Sequence, residues 1–172
     1  MKLLRKLLGR EEAPADVAGR LASDERVLAV AALGDDKHLV VTSYGLWLPG
    51  DEGARLVGWH LVSKATWGGG ALTVVEAEET ETIGAAVLLT DLPPRRLRLA
   101  APGRVPETVQ ARVEGAIRSR HHRDLPGGGA WFVQRKVPGR DGIVLQVRPD
   151  PGTDPALLRQ VVIDVERTLG RE

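Results

Sequence analysis

The sequence predicts an α+β fold: an antiparallel β-barrel closed by one amphipathic helix and extended by a strand–strand–helix unit. Three observations carry that prediction. Between Val27 and Ala100, short apolar runs are cut by turn residues at the spacing of about 8–12 residues expected of barrels and sandwiches. From Pro106 the apolar positions change to a helical period. After Gly127-Gly128-Gly129 they return to strand alternation and then end on a second helical stripe.

Residues 1–10 come first. Leu3, Leu4, Leu7 and Leu8 fall on one arc of a helix, Lys2, Arg5, Lys6 and Arg10 fall on the other, and Gly9 would end it. Glu11 to Asp16 reads as a linker leading into one helical turn through Leu21. The strands begin with Val27–Leu33, stopped by Gly34-Asp35-Asp36. Leu39–Thr42 is followed by a turn at Tyr44-Gly45, and Leu46–Leu48 ends at Pro49-Gly50. In Arg55–Trp59 and Leu61–Trp67, the residues Val57, Trp59, Leu61 and Trp67 share one parity, which predicts Trp59 and Trp67 in the core. Leu72–Glu76, Ala85–Thr90 and Arg96–Ala100 complete the set. In the last, Leu97 and Leu99 point in, and Arg96 and Arg98 point out.

A helix from Pro106 to about Arg120 buries Val105, Val109, Val113, Ala116 and Ile117, with Pro106 in its first turn, where the missing N–H costs little. His121 and His122 would then stand at a polar helix C-terminus. Trp131–Val137 and Ile143–Arg148 form a hairpin around Pro138–Gly142. Asp154 caps the last helix, Pro155 takes its first position, and Leu157, Leu158, Val161, Val162, Val165 and Leu169 share its inner arc. Three segments follow: 1–23, an amphipathic helix and linker; 24–121, the barrel and closing helix; 122–172, a hairpin and helix packed on the barrel.

The chain has 172 residues, 24 Lys+Arg against 23 Asp+Glu, and no Cys. That length fits one domain with an appendage and can bury a core without a disulfide or metal staple. The absence of Cys excludes disulfides, thiolate nucleophiles and Cys-type zinc sites. A net charge of +1 argues against a bulk-electrostatic nucleic-acid binder. The near-neutral total is a cancellation: residues 1–90 carry 9 basic and 13 acidic groups, and residues 91–172 carry 15 and 10. No run reaches the ~18 apolar residues of a membrane span, and the first residues lack the apolar centre of a signal peptide. The expectation is a cytoplasmic protein.

One stretch carries a family likeness. His38-Leu39-Val40-Val41-Thr42-Ser43-Tyr44-Gly45-Leu46-Trp47-Leu48, then Ala54-Arg55-Leu56-Val57-Gly58-Trp59, then Leu61-Val62 and Ala65, resembles bacterial pleckstrin-homology-like (PH-like) and GRAM-like domains, where a threonine-ended strand meets a short turn. The resemblance covers residues 25–121 and implies a barrel, a docking or binding role, and a source among high-GC bacteria. The 19 Arg against 5 Lys agree with such a source. Phosphoinositide-binding members carry a basic cluster in the first hairpin loop. Here that loop is Gly34-Asp35-Asp36-Lys37, net negative, and would repel phosphates.

Candidate chemistry is sparse. Gly68-Gly69-Gly70 and Gly127-Gly128-Gly129 lack the Lys-Ser/Thr and the following helix of a phosphate loop. None of Ser23, Ser43, Ser63 and Ser119 lies in a nucleophile elbow. His121-His122-Arg123-Asp124 is a poor metal site, since adjacent helical side chains diverge and Arg118, Arg120 and Arg123 oppose a cation. Arg95, Arg96, Arg98, Arg112 and Arg118 form a basic group without interleaved aromatics, which disfavours nucleic acid and leaves an acidic partner, a self-contact or a plain solvated surface. Glu76, Glu78, Glu79 and Glu81 could pair with such a group within the molecule or between subunits. Trp47, between Leu46 and Leu48, would mark a contact site if it faced outward.

The sequence is therefore read as a non-catalytic binding or protein-interaction module. It has no cofactor and no metal, and its partner is a protein or a second copy. The candidate partner surface is Trp47, Arg96 and Arg98. The alternative is a peripheral membrane module that uses Lys2, Arg5, Lys6 and Arg10. A further alternative is an enzyme with His60 or His121 as general base.

Overall fold

A computed structural model describes residues 12–139 and 141–169. The fold is α+β with strands predominating. The basic residues proposed for a membrane or partner contact, Lys2, Arg5, Lys6 and Arg10, lie outside the described residues. The elements run α1 (Ala15–Ala18), β1 (Val27–Gly34), β2 (Lys37–Thr42), β3 (Gly45–Gly50), β4 (Gly53–Gly58), a 3-10 turn (Trp59–Leu61), β5 (Val62–Gly68), β6 (Ala71–Ile83), β7 (Ala86–Asp91) and β8 (Arg95–Arg98). They continue with α2 (Val105–Ala116), β9 (Ile117–Leu125), β10 (Gly128–Lys136), β11 (Ile143–Pro149) and α3 (Pro155–Leu169).

The chain divides into two compact units. Of the described residues, the first holds 12–76 and 93–114, and the second holds 77–92, 115–139 and 141–169. The hairpin of β6 and β7 thus belongs with the C-terminal elements, not with the strands that precede it in sequence.

In the first unit, β1 to β4 form an antiparallel meander. The start of β6 pairs with β5 on one side and with β8 on the other. Both faces of the meander are covered. On one, Val40, Trp47 and Ala54 meet Val17 of α1 and Leu21. Residues of the other parity, among them Leu39, Val41, Leu46, Leu48 and Val57, are equally buried. This corrects the expectation for Trp47: at 5% exposure it is a core residue and no contact site. The short α1 segment, placed by a single buried valine, is what covers it.

The threonine that ends β2 explains the local motif. The Thr42 hydroxyl donates to Glu25 Oε2 (2.6 Å) and accepts the amides of Tyr44 (3.1 Å) and Gly45 (3.3 Å), closing the tight turn into β3. The same Glu25 oxygen accepts Trp47 Nε1 (2.7 Å), and Trp59 Nε1 donates to the Thr42 carbonyl (3.0 Å). At the start of β3, Gly45 faces Gly58, and a Cβ on Gly45 would collide with the Val57 carbonyl oxygen. No side chain fits between the strands there.

In the second unit, the end of β6 pairs with β7, β7 pairs in parallel with β11, and β11, β10 and β9 continue antiparallel. Ile83, Ala86, Ala130, Phe132 and Val147 pack on Leu158, Val161 and Val162 of α3. Asp154 caps α3 through the amides of Ala156 (2.9 Å) and Leu157 (3.3 Å), as its sequence position predicts. Glu166 reaches the other end of the sheet and accepts the amide of Ala85, next to Gly84 at φ +61°.

Two further expectations are corrected. The helix ends at Ala116 instead of near Arg120, and Ile117–Leu125 is a strand, so His121 and His122 stand on β9 and not at a helix C-terminus. Register along Ser119–Leu125 is fixed by pairing with β10, which overrides the helical stripe at Ile117. Trp67 is 42% exposed. It has the core parity, opposite buried Leu72, but it stands beside the Gly68-Gly69-Gly70 turn, where the sheet ends.

Candidate functional site

Outward residues of β5, β6 and β8 place three cations on one sheet face. Pairing sets Lys64 beside Val75, Thr66 beside Thr73, Arg96 beside Thr73, and Arg98 beside Ala71. Because alternate residues share a face, Lys64, Thr66, Thr73, Arg96 and Arg98 project together. Lys64, Arg96 and Arg98 are all exposed. No carboxylate shares this face along residues 62–68, 71–76 and 95–98, and the next residue of that parity to carry one is Glu79 in the second unit; Glu76 has the other parity and holds Arg55 by two bonds (2.6 and 2.8 Å). Arg96 also donates to the Gly69 carbonyl (3.4 Å), which steadies its guanidinium. Both arginines named from the sequence are therefore brought together, and Lys64 joins them. Sequence reasoning missed Lys64, although its strand parity was available.

A cleft of about 650 Å³ lies elsewhere in the first unit, lined by Arg20, Lys37, Asp51, Glu52, Arg55 and Arg95 among others. Its cations are mostly committed to the fold. Arg20 donates to the Ala54 carbonyl and sits 5.4 Å over the Trp47 ring. Arg95 donates to the Pro49 carbonyl (2.9 Å). The hydrogen bond to Glu76 raises the pKa of Arg55 above its ordinary value and holds the ion pair. Beside this cleft, the first hairpin turns through Asp35 (φ 50°) and Asp36 (φ 57°), so its tip is carboxylate, as the sequence implied.

The histidines have separate settings. His60 lies in the 3-10 turn with its ring against the Gly58 backbone. His121 is exposed on β9. His122 bonds Asp150 (2.7 Å), approaches Asp124 (3.2 Å) and meets Trp131 edge to face at 5.0 Å. That set ties β9 to β10 and to the turn before α3. In the same unit, Arg135 is almost fully buried. Burial first, then the charges of Arg148 and Arg120, push its pKa down to about 10. Burial also lowers that of Arg148, against the pull of Asp91. No group of three or more metal-ligating side chains occurs among the described residues. No helix among them is long and apolar enough to cross a membrane.

Comparison of the chain with family models, curated proteins and solved structures finds no match.

Proposed function

We propose that the chain is a non-catalytic protein-interaction module whose first unit is PH-like and whose cationic face, Lys64, Arg96 and Arg98, docks an acidic polypeptide segment. The observation that carries this reading is the shared face itself: three exposed cations with two threonine hydroxyls between them and no carboxylate along residues 62–68, 71–76 and 95–98. Arginine keeps its proton throughout the physiological range, so such a face recognises charge and does not transfer protons. The same face offers Thr66 and Thr73 as further hydrogen-bond donors, which suits carboxylates and peptide carbonyls. Among the described residues it presents no aromatic ring for base stacking, and its apolar side chains, Ala71 and Val75, are buried or half-buried and make no protruding anchor for a bilayer. The PH-like reading is supported by what the first unit holds: a four-strand meander, then β5, the start of β6 and β8, each antiparallel to its neighbour, and most of α2. The threonine-closed turn at Thr42 supports it as well.

The test is fluorescence anisotropy with a labelled oligoglutamate peptide at low ionic strength. Single-stranded DNA of equal charge and phosphatidylserine vesicles serve as competitors. Salt-sensitive peptide binding is expected, weakened about tenfold or more in R96E/R98E, a loss of ~1.4 kcal/mol or more. Binding unchanged by R96E/R98E, no peptide binding, or tighter binding of DNA or vesicles overturns the reading.

A further inference from the structure

The second unit carries two open sheet edges of opposite charge. Its strand order is β6 from Ala77, then β7, β11, β10 and β9. The ladder of β5 with β6 stops at Glu76, and among the described residues no strand pairs with the outer side of Ala77–Ile83. The same holds for the outer side of β9. On β6 the open edge reads Glu78-Glu79-Thr80-Glu81-Thr82, every residue exposed, with three carboxylates and no cation. On β9 it reads Arg118-Ser119-Arg120-His121-His122-Arg123-Asp124, with three guanidinium groups and two imidazoles against one carboxylate.

The charges stand on both faces of each edge. Glu81 lies on the helix side, where it pairs with Arg159 of α3, and Glu79, opposite Leu89, lies on the other. On β9, alternation puts Arg123 and Arg120 on opposite faces. Direction also fits. β6 is antiparallel to β7, β7 parallel to β11, β11 antiparallel to β10, and β10 antiparallel to β9. The outer strands β6 and β9 therefore run in opposite senses. A second copy set alongside in the same orientation brings its β6 against β9 antiparallel, the more favourable ladder.

We propose that the β9 edge of one copy pairs with the β6 edge of another, so that the sheet of the second unit continues from copy to copy. Charged edges normally prevent strands from adding to one another. Here like edges repel, β6 with β6 and β9 with β9, while unlike edges attract. The charges thus forbid two pairings and favour the third. Such a head-to-tail contact leaves one edge open at each end, so it closes into a ring or runs on as a filament. Exposed ion pairs are weak and screened, so the assembly depends on concentration and salt. It is independent of the cationic face of the first unit.

The experiment is sedimentation velocity of the full chain over a concentration series at low and at high ionic strength. At low ionic strength the weight-average mass is expected to rise to at least twice the 18.5 kDa of one chain, and to return toward it in high salt. Two charge-reversed variants locate the contact: E78K/E79K, with two basic edges, and R120E/R123E, with two acidic edges. Each alone should stay at the mass of one chain. Mixed together they should associate again, because every edge then finds its opposite. A wild-type chain that remains single at low ionic strength overturns the proposal. So does a variant that associates like wild type on its own, or a mixture that fails to associate.

Discussion

Thr42→Val replaces the hydroxyl at the end of β2 by a methyl of nearly the same size, so it removes hydrogen bonds and opens no cavity. Thr42 is fully buried. Its hydroxyl donates to the Glu25 carboxylate at 2.6 Å and accepts the amides of Tyr44 and Gly45. A bond to a charged acceptor contributes about 1.5–3 kcal/mol, and a neutral one about 0.5–1.5 kcal/mol. The three bonds share one oxygen and do not simply add, and the new methyl returns ~1 kcal/mol of apolar burial. The net loss is about 2–4 kcal/mol, or about 4–16 °C in melting midpoint for a chain of this length. The assay is urea unfolding followed by tryptophan fluorescence. Trp47 bonds the same carboxylate as Thr42, and Trp59 bonds the Thr42 carbonyl, so two of the four reporters sit at the perturbation. Thr42→Ser keeps the oxygen and should lose less than about half as much. A Val variant within ~1 kcal/mol of wild type would show that the motif threonine is not what closes this turn.

Two other outcomes follow from charge and backbone. Arg135→Met should lose stability relative to wild type as pH rises above about 10, because burial and the charges of Arg148 and Arg120 lower the pKa of the arginine it replaces. The sign follows from linkage: the folded-state value near 10 lies below the ordinary arginine value, so above about pH 10 the unfolded chain binds more protons and this residue makes wild-type stability climb with pH. Chemical denaturation across pH 8–11 checks it, and a stability difference between variant and wild type that does not change above pH 10 contradicts the argument. Asp36→Gly relieves a left-handed residue in the Asp35-Asp36 turn and should raise stability by about 0.5–1 kcal/mol, read as a higher melting temperature; a lower midpoint refutes it.

Strands with one clear apolar parity were legible in the sequence. Leu97 and Leu99 are buried with Arg96 and Arg98 exposed between and beside them, as alternation requires. The cap at Asp154 was equally legible, because capping is local chemistry. β9 was not. Arg118-Ser119-Arg120-His121-His122-Arg123 is polar on both faces, so it has neither a strand period nor a helical one, and only pairing with β10 makes it a strand. Trp47 was misplaced for a related reason. Its burial depends on Val17, thirty positions earlier, and no window around Leu46-Trp47-Leu48 contains that information. Of the candidate surface, the arginine pair was visible from parity, while Lys64 needed the partner strand to bring it alongside.

Because the described part of the second unit is assembled from residues 77–92 and from residues after 114, its folding order is constrained during synthesis. The β6–β7 hairpin leaves the ribosome early, yet the strand that accepts β7, matched at Ala86 with Leu145, arrives much later. Until then Ile83, Ala86 and Leu88 lack the helix they pack on, since Leu158, Val161 and Val162 come last of all. The emerging hairpin thus waits as a half-built sheet with an apolar face. The glutamates at Glu78, Glu79 and Glu81 are then the gatekeepers that keep neighbouring nascent chains from pairing with it.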